Sequence, residues 1–462
     1  MSGVKKVLMR ESDLRKIEDE KIKWAKKGLE TGGYIFGKLY PNGLAHVTYV
    51  SDGGPNARRT SISYSGDNVY ATRLQEELQM QDPEIVLLGE YHVHPWHGQA
   101  NLSGGDIDQL VEVKRKRDWF FVLLNTLDDN AIWDVEIDNP AGMYLFGEWK
   151  DETGVRRGCR YILPRASPKK LRCQVVKDQI SDKEKLLDRI LKITKSEVLI
   201  GKKVIIVGVG SGGSVIAKYL GCTGIGQIIL IDPEELEVEN LIRHEGGVGE
   251  IGKLKVEICK QIIESHNPFT VVETYSFDVT KSYDKLCELA GGADLIIGAS
   301  GSMRVNNILN GLSLQFNKPA LYGGVFEKGS GGFVLAVKPF EGPCLNCLFG
   351  LTSKSYSVDK EAARNYGLDE EELHKQQGLW VDISFPALIL TKMAIAILEG
   401  NELDYNLVVY RSDLELKKLK AARRKDCAAC NFENWAEKQL EEKIPSLRFL
   451  FEDEEKVVGE KE

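Results

Sequence analysis

Val204-Ile205-Ile206-Val207-Gly208-Val209-Gly210-Ser211-Gly212-Gly213 reads as a strand running into a glycine-rich turn, with a helix beginning near Ser214. Four consecutive β-branched residues suit a strand buried on both faces, as strands of a parallel sheet are. The spacing of Gly208, Gly210 and Gly213 lets the backbone turn tightly and sets the free N–H groups of a helix N-terminus against phosphates. A second apolar run, Ile228–Ile231, follows the helical stretch, and a third, Leu295–Ile297, comes later. Residues 197–450 therefore read as a doubly wound, Rossmann-like α/β domain. Asp232 ends the second strand, nineteen residues after Gly213, where it is placed to bind ribose hydroxyls.

A nicotinamide-dependent dehydrogenase would satisfy all of this, and the residues downstream discriminate. Asp232-Pro233-Glu234 leads to Glu239-Asn240-Leu241-Ile242-Arg243 and then to Gly252-Lys253-Leu254-Lys255. Hydride transfer has no need of an Arg and a Lys converging on the phosphate end. Attack on the α-phosphate of ATP does, because charge builds on the departing pyrophosphate. The ordered set resembles the ThiF-like adenylyltransferases, whose pattern is GxGxxG, DxD, SNLxR and GxxK. The resemblance implies Gly208, Gly210 and Gly213 around the phosphates of ATP, Asp232 on ribose, and Asn240, Arg243 and Lys255 on the phosphates. Arg243 and Lys255 would be catalytic, with Mg²⁺ accompanying the nucleotide. One departure is plain: the family's metal-binding Asp is replaced by Gly301.

Nine cysteines are scattered over 462 residues, a poor match to a secreted disulfide scaffold. Four of them form Cys344-Leu345-Asn346-Cys347 and Cys427-Ala428-Ala429-Cys430, a CxxC…CxxC set that points to a four-thiolate structural Zn²⁺. The gap is too long for a compact zinc finger and agrees with the ThiF-like resemblance, in which one pair precedes the crossover region and the other closes the domain. Ubiquitin-activating members carry a thioester cysteine in that region, but residues 348–426 contain none. The five remaining cysteines read as buried or incidental thiols.

The first 160 residues interleave strand-like runs with helical patterns, an α/β or α+β domain. Within it, Gly89-Glu90-Tyr91-His92-Val93-His94-Pro95 ends a strand and Ser103-Gly104-Gly105-Asp106 starts a helix. Histidines at i and i+2 on a strand point to one face and can share a metal ion. Asp106 can add an oxygen ligand, giving the three-ligand layout of a catalytic Zn²⁺, and Glu30 can serve as general base. The set Glu30, His92-x-His94-Pro95 and Ser103-x-x-Asp106 resembles the JAMM (MPN-type) metalloproteases. The resemblance implies His92, His94 and Asp106 as zinc ligands, Glu30 as acid/base and Ser103 as oxyanion support. Eight residues, not the family's seven, separate His94 from Ser103. His97, in that loop, reads as solvent-facing.

Residues 161–196, with Pro164, Pro168 and a charged helix, read as linker and leading helix, and residues 451–462 as a charged tail. The N-terminus has no apolar h-region, and the longest apolar run, Phe385–Leu398, reads as too short to span a bilayer, so the expected address is cytoplasmic. A net charge of −8 argues against nucleic acid as the main partner.

The two resemblances together imply a bifunctional enzyme of a bacterial ubiquitin-like or sulfur-carrier pathway. One domain would cleave after the C-terminal Gly of a small ubiquitin-like protein, and the other would adenylate that C-terminus. A conjugating enzyme or sulfur donor would take the acyl group, and a homodimer is expected by the same resemblance. Gly301 and the absent crossover cysteine keep a rival open, an active peptidase fused to a non-adenylating binding module. A scaffold with neither activity is the remaining alternative.

Overall fold

The computed structural model describes residues 4–102, 104–114, 119–138, 143–151, 154–162, 165–180, 183–190, 193–326, 329–349 and 378–431. Ser103, most of the crossover region and the 451–462 tail lie outside the described residues. The chain divides into two units, Met1–Arg189 and Ile190–Glu462.

In the first unit the strands are β1 (Lys6–Arg10), β2 (Thr31–Leu39), β3 (Leu44–Val50), β4 (Arg58–Arg59), β5 (Tyr64–Ser65), β6 (Val86–Val93), β7 (Phe121–Asn125), β8 (Asn130–Asp138), β9 (Met143–Asp151), β10 (Gly154–Ile162) and β11 (Arg165–Val176). The helices are α1 (Glu11–Ala25), α2 (Asn68–Gln81), α3 (Gly104–Lys114) and α4 (Lys183–Leu187). Seven strands close a barrel in the order β1-β11-β8-β7-β6-β2-β3, so these strands leave no open sheet edge. Strand periodicity sorts the side chains. Ile35, Phe121 and Leu123 cluster with Ile17 of α1, Val122 and Leu124 pack with Leu110 of α3, and Tyr34 and Phe36 meet Ala71 and Leu74 of α2. Asp67 caps α2 by accepting the Tyr70 N–H at 3.1 Å.

The linker reading of residues 161–196 is corrected here. Arg165–Val176 is barrel strand β11, parallel to β1 and antiparallel to β8. Pro168 and a Lys-rich outer face disguise it. Of its later residues, Leu171 and Val176 are buried while Arg172, Cys173 and Val175 face solvent.

The second unit begins with α5 (Ser196–Leu199) and continues through β12 (Lys203–Val207), α6 (Ser211–Gly221), β13 (Gln227–Ile231), α7 (Lys255–His266), β14 (Val271–Tyr275), α8 (Tyr283–Gly291), β15 (Leu295–Gly298), α9 (Met303–Phe316), β16 (Ala320–Val325), β17 (Gly331–Val337), α10 (Leu345–Phe349), α11 (Trp380–Leu398), β18 (Leu407–Arg411) and β19 (Leu416–Leu419). The sheet order is β14-β13-β12-β15-β16-β17-β18-β19, parallel through β16 and antiparallel beyond it. Both faces of β12 are covered. Val204 and Ile206 join α6, α7 and α11, whereas Ile205 and Val207 join α8 and α9.

At 19 residues, α11 is long and apolar enough to cross a bilayer by length and composition, longer than the sequence reading allowed. Its Ala387, Leu390, Met393 and Ala394 are buried in the core against the sheet. Pro386 sits inside this helix and offers no N–H to the carbonyl of Asp382, four residues earlier. The Tyr410 hydroxyl donates to that carbonyl instead, at 3.0 Å.

Candidate functional site

Strand order reverses between β12 and β15, which makes their C-terminal ends the crevice where ligands bind in such sheets. The glycine loop leaves β12 at that point. Gly208 has φ +90°, and a Cβ there would lie 2.4 Å from the Ser300 backbone that follows β15. A Cβ on Gly213 would lie 1.9 Å from the Gly208 carbonyl oxygen, so α6 can start this close only as glycine. Gly210 differs: a Cβ there meets nothing within 4 Å. The loop is packed tight at both ends and open in the middle, where a phosphate would approach the α6 N-terminus.

Asp232 is buried at the end of β13. Its Oδ2 accepts the Val209 N–H at 2.6 Å and its Oδ1 the Glu234 N–H at 2.9 Å. Burial pushes its carboxyl above the usual range, against the pull of these two hydrogen bonds. Lys255, first residue of α7, is buried and pairs with the exposed Glu234 at 2.6 Å. Its ammonium is thus delivered next to Asp232's own loop. Asn240 and Arg243 lie on a short 3₁₀ turn, Val238–Arg243. The Asn240 side chain accepts the Glu237 N–H at 3.2 Å, so its oxygen is engaged in capping that turn. Gly301 is exposed with φ +71°, and the position offers no carboxylate to a magnesium ion.

The four paired cysteines converge. Cys344 lies 3.8 Å from Cys347 and 3.5 Å from Cys427, and Cys347 lies 3.5 Å from Cys430, all four buried. Thiolates around a tetrahedral zinc at about 2.3 Å stand about 3.8 Å apart, so the spacing fits that ion. Arg423 Nε and the Arg424 backbone N–H donate to Cys430 and Cys347, each at 3.4 Å. Asn310 of α9 holds the first CxxC turn, accepting the Leu345 N–H at 3.0 Å and donating to Asn346 at 2.8 Å.

In the first unit β2 and β6 are neighbours, with Gly32 opposite His92, and this pairing brings Glu30 to the histidines. His92 Nε2 lies 3.0 Å from Glu30 Oε2, and His92 Nδ1 lies 3.3 Å from Asp106 Oδ1. Ligand atoms of Glu30, His92 and His94 all fall within 4.8 Å of one another. His94 Nε2 is buried and finds no hydrogen-bond partner, as a nitrogen reserved for a metal would be. Asp106 partners His92 from α3, and Glu30 completes the compact cluster. Burial works against charge on His92, but the hydrogen bonds to Asp106 and Glu30 outweigh it and hold its pKa up at about 9. Two carboxylates and two imidazoles thus converge in one mostly buried cluster. His97 is exposed and pairs with Asp128 at 2.8 Å, outside the cluster.

Residues 186–429, just over half the chain, match the ThiF family. The chain belongs to the ThiF family. Among its relatives, the ubiquitin-like modifier-activating enzyme 5 of Bombyx mori is 26% identical over 202 residues, 42% of this chain and 51% of that protein. The SAMP-activating enzyme E1 of Haloferax volcanii is 28% identical over 152 residues, 33% of this chain and 54% of that one. The chain spans about half the length of these curated relatives. E. coli MccB with ATP aligns with a TM-score of 0.44 at 20% identity, covering 54% of this chain and 75% of that structure.

Among the described residues of the ThiF-family unit, motif reading passed over a buried histidine beside the glycine loop. His244, next to Arg243, is buried. It accepts the Gly246 N–H at Nδ1 (2.9 Å) and donates from Nε2 to the Val209 carbonyl (3.0 Å). No spacing rule marks it, because the contact spans 35 residues. Among the unpaired cysteines with described side chains, Cys259 is buried on α7, with burial pushing its pKa far up. Cys173 belongs to β11 and not to a linker.

Proposed function

We propose that the ThiF-family unit adenylates the C-terminal carboxylate of a ubiquitin-like or sulfur-carrier protein. One observation carries the reading: an open glycine turn at the sheet's switch point, with a buried carboxylate and a buried lysine beside it. The carboxylate oxygen forms a bond to the α-phosphorus of ATP while the α–β phosphoanhydride breaks, and pyrophosphate leaves with the electron pair. Asp232 holds ribose, the Gly210 turn cradles phosphate, and Lys255 with Arg243 neutralises charge on the leaving group. Lys255 leaves Glu234 to do so, which is inexpensive because Glu234 is already solvated. Gly301 provides no ligand, so a magnesium ion accompanying ATP would be held by the phosphates and water. The names of the relatives support the substrate class: one acts on a ubiquitin-like modifier, the other on SAMP.

For the first unit we propose a zinc-dependent peptidase that cleaves after the C-terminal Gly of the same class of protein. His92 and His94, with Asp106 close by, would hold the ion, which would supply Lewis-acid polarisation when bound. Glu30 holds the proton taken from the attacking water and passes it to the leaving amine. Asp106 orients His92 through Nδ1, and Trp96, its ring centroid 4.0 Å from that of His94, shields the cluster.

Mass spectrometry of a Gly-terminated ubiquitin-like partner incubated with ATP tests the first reading. An AMP adduct on the partner supports it, and an unmodified partner contradicts it. A specific observation keeps a second reading alive: Gly301 carries no carboxylate, and a nucleotide-holding module without chemistry would need none. That module would bind ATP and give no adduct.

A further inference from the structure

The Val209 peptide, at the centre of the glycine loop, is held from both sides. Its N–H goes to Asp232 at 2.6 Å and its carbonyl to His244 at 3.0 Å. His244 is in turn fixed by the Gly246 N–H, which can be accepted only by a lone pair on Nδ1. This assigns one tautomer, with the proton on Nε2 facing Val209. Resting on the nucleotide-site reading above, we propose that His244 is a positioning residue: its neutral imidazole locks the Val209 carbonyl so that the open Gly210 turn presents its N–H groups to phosphate. The motif residues before it, Asn240 and Arg243, would touch ligand. His244 touches only the loop.

Burial pushes the ring below the ordinary histidine value, against the pull of the Val209 carbonyl, and nearby Lys255 adds to the push. Asp232 and Glu245 also face it and pull the other way. A second proton, on Nδ1, would confront the Gly246 N–H and break the lock. Affinity for ATP therefore falls on acidification, with the inflection below about pH 6.5.

The test compares His244→Ala with His244→Gln in the full chain. Glutamine keeps one donor and one acceptor, and alanine keeps neither. His244→Ala should weaken ATP binding on the order of tenfold and raise KM for ATP more than it lowers kcat at saturation. His244→Gln should recover affinity to within about threefold and lose the part of the acid limb that His244 contributes, because Asp232, Lys255 and Glu245 are common to both. Hydrogen exchange at the Val209 and Gly210 amides, measured without nucleotide, should quicken in the alanine variant and not in the glutamine one. Unchanged affinity in His244→Ala, or a glutamine variant as weak as the alanine one, overturns the proposal and leaves the nucleotide site standing. A wild type that binds no ATP overturns the nucleotide site itself. Hydrogen exchange then decides the lock alone, and equal protection in wild type and His244→Ala refutes it.

Discussion

The two clusters suited to metal ions differ in what surrounds the donors. The four cysteines are buried, their sulfurs neighbour one another, and arginine and backbone N–H groups soften their charge. Such a set fills every position around a zinc and leaves none for substrate. The Glu30–His92–His94 cluster mixes oxygen and nitrogen, has a carboxylate poised on one imidazole, and keeps His92 16% exposed beside the Tyr64 ring. On the proposed reading, one cluster would hold the fold and the other would keep a position open. The difference follows from the chain: CxxC turns deliver soft ligands at short spacing, whereas adjacent strands deliver hard ligands to a sheet face.

The sharpest way to break that contrast is to remove a ligand from each side. Cys344→Ala should lower the thermal unfolding transition of the second unit, since a lost thiolate leaves a structural zinc site incomplete. Calorimetry showing an unshifted transition would deny the cluster a structural role. A His92→Ala/His94→Ala double variant should lose one of two zinc equivalents by metal analysis, abolish peptide cleavage, and leave ATP binding untouched. Retention of both equivalents would remove the catalytic half of the comparison.

The glycine loop offers a smaller, finer contrast. Gly208→Ala forces a φ of +90° on a residue with a Cβ and drives it into the Ser300 backbone, so thermal denaturation should report a loss of about 2–4 kcal/mol. Gly210→Ala meets open space, so stability should hold within about 0.5–1 kcal/mol while ATP affinity falls roughly tenfold. Equal loss of stability in both variants would mean that Gly210 is packed and not presented.

Motifs built from contiguous residues could be read before folding. The β12 run and Gly208-Val209-Gly210 announce a strand and a phosphate turn because period and glycine placement are local properties. The cysteine pairs were legible for the same reason, each CxxC being a single turn. What escaped depends on distant chain segments. Strand β11 carries Pro168 and the adjacent Lys169 and Lys170, which break the strand alternation and also fit a linker, and only its pairing with β1 and β8 decides. Glu30 reaches the histidines because β2 and β6 are neighbours, a fact of topology that spacing along the chain does not show. His244 has no motif of its own and acquires its role from the loop it meets.

The most direct test of the central claim is ATP–pyrophosphate exchange by the full chain with a Gly-terminated ubiquitin-like partner. Partner-dependent exchange that falls at least a hundredfold in Lys255→Ala is the expected result. Exchange absent in the wild type, or undiminished in Lys255→Ala, would contradict adenylation by this site.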